Sequence, residues 1–431
     1  MRALNELPAH EALALLARRE ISAEELVRAC LARIAAREPE VSAWQILDEP
    51  RALAEARRID GLRDPPPLRG LPVGVKDLID TADLPTTYGS PIYRGHRPPN
   101  DAWCVKALRS AGAVILGKTV TTEFAYFSPG PTRNPRDVRR TPGGSSSGSA
   151  AAVADAMVPG ALGTQTAGSI IRPASFCGVV GWKPTFGVLS LDGIRPLAPS
   201  LDTLGVLTRA VADVPVWMAV LSGAGVASLT QLSRSPRIGL CRTDLWPKTA
   251  VDTRQEIEGV AQRLARQGAD VREVELGPEF RGLADAQVAI MAVEMAESLR
   301  SERTRHADRL SSKLREQIEA GERVTPERLA AAREQADRCR ALFPSALSGC
   351  DALITPAAVG EAPIGLESTG DPIFNRIWTL LHVPCLSLPA AVGASGLPIG
   401  VQFVGRAGED AALLAVAAWA EQWLGLTPPR P

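Results

Sequence analysis

The residues of this chain best suited to nucleophilic chemistry are serines in two glycine-rich clusters. The first cluster reads Gly143-Gly-Ser-Ser-Ser-Gly-Ser149, and the second reads Gly163-Thr-Gln-Thr-Ala-Gly168-Ser169. A serine hydroxyl attacks a carbonyl carbon when a neighbouring base takes its proton. Small residues at 167 and 168 would let consecutive backbone N–H groups converge beside Ser169, as an oxyanion hole requires. Taken alone, the first cluster also fits a linker or helix cap, and the second fits a glycine turn.

The base that would activate such a serine is better sought among lysines than among histidines. The chain has four histidines, none in a defensible arrangement with an acidic partner: His10, His96, His306 and His382. Gly144-Ser-Ser-Ser-Gly148 matches the G-x-S-x-G pattern, but no convincing strand leads into it. A buried, neutral lysine is an alternative base, and Lys76 after the apolar run 71–75 is the best placed. The alternative for Lys76 is a strand-end residue that is exposed or paired with an acid.

A phosphate-loop pattern is also present, but its context argues against nucleotide binding. Gly112-Ala-Val-Ile-Leu-Gly117-Lys118-Thr119 fits GxxxxGK[ST] letter for letter. A phosphate loop follows a strand and opens a helix, whereas a helix is predicted before this segment and its middle residues read as the strand. We therefore predict a strand here.

The elements that must position these residues alternate between helix and strand. Residues 8–36 predict two amphipathic helices, the second capped by Ser22 with Glu25 at the capping-box position. Strands predicted at 236–241 and 270–275 flank a helix at 252–267, as in a βαβ unit. The alternation predicts α/β layering. No linker or internal repeat is evident, and the length allows either one large α/β domain or two to three smaller ones. A mostly helical, charged segment lies at about 280–347.

The composition excludes several classes of function. Of 431 residues, 48 are basic and 48 are acidic, so the net charge is zero and gives no field for nucleic acid or anionic membrane. The seven cysteines occur singly and form no CxxC pair, which predicts reduced thiols rather than disulfides or a zinc site. The chain start lacks the apolar region of a signal peptide, and no run of about 18 uncharged apolar residues occurs. We expect a cytoplasmic protein without a membrane span.

Taken together, several spaced segments resemble the amidase signature family over nearly the whole chain. They occur in the family's order: Gly74-Val-Lys76-Asp77, Pro85-Thr-Thr-Tyr-Gly-Ser90, Gly117-Lys-Thr119 with Glu123, Pro142-Gly-Gly-Ser-Ser-Ser-Gly-Ser-Ala-Ala-Ala-Val153, Gly168-Ser169 through Ala174-Ser-Phe-Cys-Gly178, and Gly396-Leu-Pro-Ile-Gly-Val-Gln402. The resemblance implies an α/β amidase signature fold that forms a single domain over residues 1–431, with a large mixed twisted sheet covered by helices on both faces. It also implies an amidohydrolase that cleaves carboxylic amide C–N bonds through an acyl-enzyme, without cofactor or metal.

The resemblance assigns roles to particular positions. Ser169 would be the nucleophile, Ser145 a bridging serine on a cis peptide bond, and Lys76 the general base. Backbone N–H groups would form the oxyanion hole at four consecutive residues: Thr166, Ala167, Gly168 and Ser169. Lys76 must be neutral to act as a base, so activity is expected to rise toward alkaline pH.

Departures from the family's commoner GTDTGGS[IV]R pattern bear on the substrate. Gln165 replaces the Asp, Ala167 replaces a Gly, and Arg172 comes three residues after the nucleophile rather than two. This arrangement is similar to the malonamidase-like branch, in which the arginine holds a substrate carboxylate, although Arg172 could equally brace the loop. Aromatic residues instead suggest apolar walls for an aryl amide, carbamate or ester: Phe124, Tyr126, Phe127 and Trp378.

Other functions remain open from the sequence. The A subunit of the amidotransferases shares the implied fold and triad, but this chain is short for it and lacks its GGSIRQPA sequence. A catalytically inactive binding scaffold is a third reading, against which the presence of all three triad residues argues. The expected partner is a small amide, with no nucleic acid and no membrane, and a homodimer is possible.

Overall fold

A mixed β-sheet joins the two halves of the chain. The computed structural model describes residues 2–223, 231–347 and 349–424, which contain eleven strands. The strands are β1 (Trp44–Leu47), β2 (Pro72–Lys76), β3 (Val114–Thr119), β4 (Gly160–Gln165), β5 (Val180–Lys183), β6 (Thr203–Thr208), β7 (Arg237–Cys241), β8 (Asp270–Val274), β9 (Ala352–Pro356), β10 (Cys385–Val392) and β11 (Pro398–Val404). They lie in the order β1-β3-β2-β4-β6-β5-β10-β11-β9-β7-β8.

Fourteen α-helices connect and cover these strands within the described residues. They are α1 (Ala9–Ala17), α2 (Ala23–Val41), α3 (Glu49–Asp60), α4 (Trp103–Ser110), α5 (Ser147–Ala154), α6 (Ile171–Cys177), α7 (Val214–Leu221), α8 (Val251–Arg266), α9 (Leu283–Ser298), α10 (Arg300–Arg305), α11 (Ser312–Glu322), α12 (Pro326–Ala346), α13 (Ile373–Leu380) and α14 (Asp410–Leu424). The predicted capping box is present at the start of α2, where the Ser22 hydroxyl accepts from the Glu25 N–H. Among the described residues, no helix combines the length and the apolar character that a membrane crossing requires.

Two apolar cores lie on opposite faces of the sheet. Successive side chains of a strand point to opposite faces, and in β9 Leu353 belongs to one core while Ala352 and Ile354 belong to the other. The first core is built mainly from α1–α5, α7, α8 and α14, and the second from α9 and α11–α13. The predicted α/β fold, with helices on both faces of a mixed sheet, is therefore confirmed.

The βαβ unit predicted in the second half of the chain is present. Strand β7 pairs in parallel with β8, and α8 connects them. The predicted helical segment at 280–347 contains α9–α12, and α9 packs against α11, α12 and α13. This segment therefore covers one face of the sheet beside α13.

The phosphate-loop pattern lies in a buried strand, as predicted. Residues 114–119 form β3, which is buried along its whole length. The Lys118 ammonium lies 3.2 Å from an oxygen of the Asp77 carboxylate and donates to the Thr86 hydroxyl at 2.6 Å. The Thr119 hydroxyl pairs with that of Ser149 at 2.7 Å. These side chains thus stabilise the sheet and its neighbours.

Candidate active site

The candidate site lies where two neighbouring parallel strands end. Strand β2 ends at Lys76 and pairs in parallel with β4, which ends at Gln165. Because the carboxyl ends of parallel strands meet at one edge of a sheet, the segment 166–169 emerges beside Lys76. Ser145 comes to the same edge from the irregular segment that precedes α5.

The Lys76 ammonium group is held by neutral oxygen atoms. Its Nζ donates to the Ser145 hydroxyl at 2.7 Å and to the Thr164 hydroxyl at 2.8 Å, with the Thr164 carbonyl at 3.4 Å. The side chain is fully buried. Within the described residues Lys76 makes no ion pair with a carboxylate.

Burial sets the charge of this lysine. Removal from water lowers the pKa of Lys76 well below its ordinary value, and the more distant charge of Asp202 opposes that shift. Burial also raises the pKa of the Asp202 carboxyl to about 6. Its oxygens accept from the Thr166 hydroxyl at 2.5 Å and from the Leu197 and Ala198 N–H groups. The environment of Lys76 therefore favours its neutral form.

The two candidate serines line one small pocket. The peptide bond between Gly144 and Ser145 is cis. The Ser169 hydroxyl makes no hydrogen bond within the described residues, and Ser169 keeps 8% of its surface exposed. The structure therefore brings Lys76, Ser145 and Ser169 together, with a hydrogen bond from Lys76 to Ser145 and none between the two serines.

Backbone N–H groups beside Ser169 are free to donate. In the part of the chain that the structure describes, none of the N–H groups of residues 166–169 donates to a protein acceptor. The side chain of Gln165 stabilises the turn, because its Oε1 accepts from the Ile170 and Ile171 N–H groups at 2.9 and 3.1 Å. This arrangement can stabilise negative charge on an oxygen next to Ser169.

Gly168 lies where a side chain would not fit. A Cβ at this position would come within 2.3 Å of the Asn375 Oδ1 and 2.8 Å of the Pro372 Cβ. The Asn375 amide nitrogen donates to the Ala357 carbonyl at 3.0 Å, which holds its side chain in place. The close packing of α13 against the turn thus requires glycine here.

The Arg172 guanidinium both braces the loop and keeps one donor without an acceptor. Its Nε donates to the Thr369 carbonyl at 2.8 Å, and its Nη2 donates to the Gly144 carbonyl at 2.6 Å and to the Thr369 hydroxyl at 3.1 Å. Its Nη1 is buried without an acceptor among the described residues, and Arg172 lines the pocket with the two serines. Burial lowers the pKa of Arg172 to about 9, and the positive charge of Arg376 adds to that effect. Bracing of the loop and a free donor therefore coexist in one side chain.

The pocket is narrow, with a cavity volume of about 20 Å³, which is room for about one water molecule. Its walls are largely apolar, and Arg172 lies 5.9 Å from the ring centre of Phe127. The residues that line it, besides Ser145, Ser169 and Arg172, are Ala125, Tyr126, Phe127, Thr166, Ala167, Leu197, Met291, Thr369 and Pro372.

Two aromatic residues predicted to line the pocket lie elsewhere. Phe124 adopts a positive φ of 45° and is fully buried, with its ring edge-to-face against Tyr93 and beneath the Arg195 guanidinium. Trp378 is fully buried in α13, with its ring 5.8 Å from that of Phe343. The prediction that Phe124 and Trp378 form pocket walls is thus corrected, because both pack into the apolar core instead.

The sequence pattern did not single out several residues that reach the site. Met291 and the fully buried Gln287 come from α9, inside the segment whose role the sequence left open. Thr369 and Pro372 come from the segment before α13. A Gln directly before the apolar run 288–293 of α9 was the available signal. No group of three or more His, Cys, Asp or Glu side chains suited to a metal ion occurs among the described residues.

A buried lysine, a serine in a pocket and free N–H groups beside that serine are the parts that a serine hydrolase with a lysine base requires. Residues 25–414 match the family model described as Amidase, so the chain belongs to the amidase family and is an enzyme. The chain is 36% identical over 487 residues to the A subunit of the glutamyl-tRNA(Gln) amidotransferase of Anaeromyxobacter sp. (strain K), covering 99% of this chain and 98% of the relative.

Solved structures share the fold along the whole chain. A crystal structure of an amidase is 33% identical and superposes with a TM-score of 0.88, covering 97% of this chain and 100% of that one. The native peptide amidase from Stenotrophomonas maltophilia is 31% identical with a TM-score of 0.82, covering 99% and 98%. The predicted membership of the amidase signature family is therefore confirmed.

Proposed function

We propose that this chain is an amidohydrolase that cleaves carboxylic amide C–N bonds through an acyl-enzyme on Ser169. The observation that carries the proposal is the buried Lys76, which contacts the Ser145 hydroxyl at 2.7 Å and has no carboxylate partner within the described residues. A lysine in such surroundings is neutral and can accept a proton. Among side chains near the pocket, it is the group suited to act as general base.

The first half of the reaction forms the acyl-enzyme. As the Ser169 oxygen attacks the amide carbonyl carbon, its proton passes to the Ser145 oxygen, and the Ser145 proton passes to Lys76. The carbonyl oxygen becomes an oxyanion, which free N–H groups of residues 166–169 stabilise. The protons then return along the same path to the nitrogen of the leaving group. The C–N bond breaks, and an amine or ammonia leaves.

The second half consumes a water molecule. Water attacks the acyl carbon while its proton passes through Ser145 to Lys76, and collapse of the oxyanion breaks the bond to Ser169. The Ser169 oxygen receives the proton back, and a carboxylic acid leaves. The hydrogen bond between Lys76 and Ser145 is already formed, whereas the bond between the two serines forms with substrate in place, as is common for catalytic contacts of unliganded enzymes.

Arg172 supports a small substrate with a carboxylate on the acyl side, as in the malonamidase-like branch. Its Nη1 is a buried donor without an acceptor in the described chain, and Arg172 makes no ion pair with the described residues. A carboxylate that pairs with this guanidinium would satisfy the donor and offset the desolvation of the charge.

A second candidate function is that of the A subunit of an amidotransferase. It is favoured by identity of 36% to a relative of that name over 99% of this chain. The alignment runs over 487 positions, more than the 431 residues of this chain, so the relative carries insertions that this chain lacks. Under this alternative the purified chain would need other subunits for activity, whereas the hydrolase acts alone.

The test compares kcat/KM for malonamate and for a neutral aryl amide, using the purified chain alone. We expect a preference for malonamate, and we expect Arg172→Met to reduce that preference about 100-fold, in line with the loss of one partner of a buried charged pair. A wild-type preference for the neutral amide would overturn the assignment of the substrate. Absence of amide hydrolysis without partner subunits would favour the second candidate.

Two variants serve as controls. Arg406→Met removes an arginine whose Nη2 likewise donates to backbone carbonyls, those of Leu347 and Cys350 at 3.0 and 3.1 Å, but outside the pocket. It should leave the preference unchanged. Ser169→Ala should abolish the hydrolysis of both amides, because both reactions use the same nucleophile.

A further inference from the structure

The three carbonyl groups of residues 166–168, directly after β4, each accept a hydrogen bond from the protein. The Thr166 carbonyl accepts from the Gln287 side-chain amide at 3.0 Å. The Ala167 carbonyl accepts from the Thr379 hydroxyl at 2.8 Å, and the Gly168 carbonyl accepts from the Arg172 N–H at 3.0 Å. The first two donors are side chains from α9 and α13, which lie far from this segment in the sequence.

Holding a carbonyl also sets the direction of the next N–H group. A peptide unit is planar and trans, so its C=O and N–H bonds point in opposite directions. The Thr166 carbonyl fixes the Ala167 N–H in this way, and the Ala167 carbonyl fixes that of Gly168. These N–H groups have no protein acceptor within the described residues, and Ala167 lines the pocket.

The Gln287 amide is itself held in one orientation. The Arg376 Nη1 donates to the Gln287 Oε1 at 2.6 Å, which leaves the Gln287 amide nitrogen to face the Thr166 carbonyl. Gln287 is fully buried, and Met291, one helical turn later, lines the pocket. Helix α9 therefore presents one face both to the pocket wall and to the peptide behind the candidate oxyanion hole.

The Thr379 hydroxyl is also held in one orientation. It accepts from the Gln165 amide nitrogen at 3.0 Å, so its single proton is available to the Ala167 carbonyl. The Gln165 oxygen meanwhile accepts from the Ile170 and Ile171 N–H groups. A continuous network thus connects α13 to the turn that carries Ser169.

We propose that Gln287 and Thr379 are positioning residues that aim the Ala167 and Gly168 N–H groups at the substrate oxyanion. This inference rests on the proposed function, because it assumes that Ser169 is acylated. It assigns a catalytic purpose to helix α9 of the segment at 280–347: the helix fixes the peptide that stabilises the transition state.

The test measures the second-order rate of labelling by a fluorophosphonate, with Ser169 identified as the labelled residue by mass spectrometry. The Ser169 oxygen displaces fluoride from phosphorus, and in the transition state negative charge develops on the phosphoryl oxygen that lies in the oxyanion hole. The reaction needs no knowledge of the natural substrate. Gln287→Met and Thr379→Val remove the two donors at similar side-chain size. We expect each to slow labelling at least tenfold, since loss of an oxyanion-hole donor itself costs about 100-fold to 1,000-fold.

Matched variants separate positioning from general damage. Thr379→Ser keeps the hydroxyl and should be labelled at a rate within about threefold of wild type. Gln335→Met removes an amide that donates to the Glu279 and Arg281 carbonyls, away from the site, and should likewise be labelled within about threefold of wild type. With the amide that wild type hydrolyses, Gln287→Met and Thr379→Val should lower kcat and leave KM nearly unchanged. Because Thr379→Val leaves the Gln165 amide nitrogen and the Ala167 carbonyl without their buried partner, its labelling is compared with that of Thr379→Ser well below the thermal midpoints of both.

The outcomes distinguish this inference from the proposed function. If wild type is not labelled at Ser169, the proposed function fails and the inference falls with it. If wild type is labelled at Ser169 but Thr379→Val and Gln287→Met are labelled equally fast, the inference alone is overturned. Equal losses in Thr379→Ser and Thr379→Val would also overturn it, because the hydroxyl would then be irrelevant.

Discussion

The Lys76 Nζ lies 2.7 Å from the Ser145 hydroxyl oxygen, and both side chains are buried at the edge of the sheet. A carboxylate in the place of that hydroxyl would keep the lysine charged and unable to accept a proton. The hydroxyl accepts a hydrogen bond without adding a negative charge. The contact therefore supports a neutral base and offers it a route to the pocket.

Replacement of the lysine by methionine separates catalysis from stability. Lys76→Met keeps a similar length, and we expect kcat to fall about 10,000-fold, as for other members of such triads. We expect the free energy of unfolding at neutral pH to change by about 1 kcal/mol or less, because methionine has no charge to desolvate and offsets the lost hydrogen bonds. Urea denaturation measures this change. A loss above about 3 kcal/mol would indicate a structural lysine.

The pH dependence follows from the direction of the shift at Lys76. Its pKa is lowered by burial, so kcat/KM is expected to rise with pH as the lysine loses its proton and then to level off. Between the folded pKa and the ordinary value of about 10.4, the unfolded chain binds more protons at this residue. The contribution of Lys76 to the free energy of unfolding therefore rises with pH across that window.

Two measurements check this prediction. The rate of single-turnover acylation should rise with pH and should not be higher at acid pH. A rate that does not rise with pH would contradict a lysine base. Denaturation at several pH values should show a smaller upward slope in Lys76→Met than in wild type, because the titrating group is gone.

The close packing at Gly168 predicts a local effect of added volume. In Gly168→Ala the new methyl group would meet the Asn375 Oδ1 at 2.3 Å, so the turn or α13 must shift. We expect a loss of stability of about 1–3 kcal/mol and a fall of at least tenfold in fluorophosphonate labelling. The double variant with Asn375→Ala should recover part of the labelling rate. No recovery would show that the backbone, rather than this contact, is sensitive.

The buried pair of Lys118 and Asp77 predicts a strong dependence on both partners. Their side chains are at most 1% exposed, and their charged atoms lie 3.2 Å apart. Asp77→Asn should destabilise the chain by about 3–5 kcal/mol, because it leaves the Lys118 charge buried without a partner. Lys118→Met in the same background should restore part of that loss, as measured by thermal denaturation in a double-mutant cycle. Additive effects would argue against coupling between the two.

Much of the site could be predicted from the sequence because its parts are local. The strand ending at Lys76 and the turn ending at Ser169 carry short patterns of small and apolar residues, and neither pattern depends on the order of strands in the sheet. The same holds for β3, where the helix before Gly112 argued against a phosphate loop. Local order along the chain decided the case of β3. For Lys76 and Ser169 it left a strand-end lysine and a glycine turn open, and the resemblance to the amidase signature family assigned their roles.

The residues that line the pocket could not be predicted from local sequence patterns. Phe124 turns inward because its φ is positive, which an aromatic residue rarely adopts and a pattern does not signal. Trp378 faces Phe343, a contact set by the packing of α12 on α13. Gln287 gave no signal beyond being a polar residue directly before the apolar run 288–293, because its partner Thr166 lies more than a hundred residues earlier.

The dispersal of the site along the chain affects when activity can appear during synthesis. Lys76 and Ser169 lie in the first half, whereas Gln287 and Thr379 come from helices that leave the ribosome much later. A nascent chain that already holds both serines still lacks the donors that hold the Thr166 and Ala167 carbonyls. A site assembled in this way is complete only after most of the polypeptide has emerged.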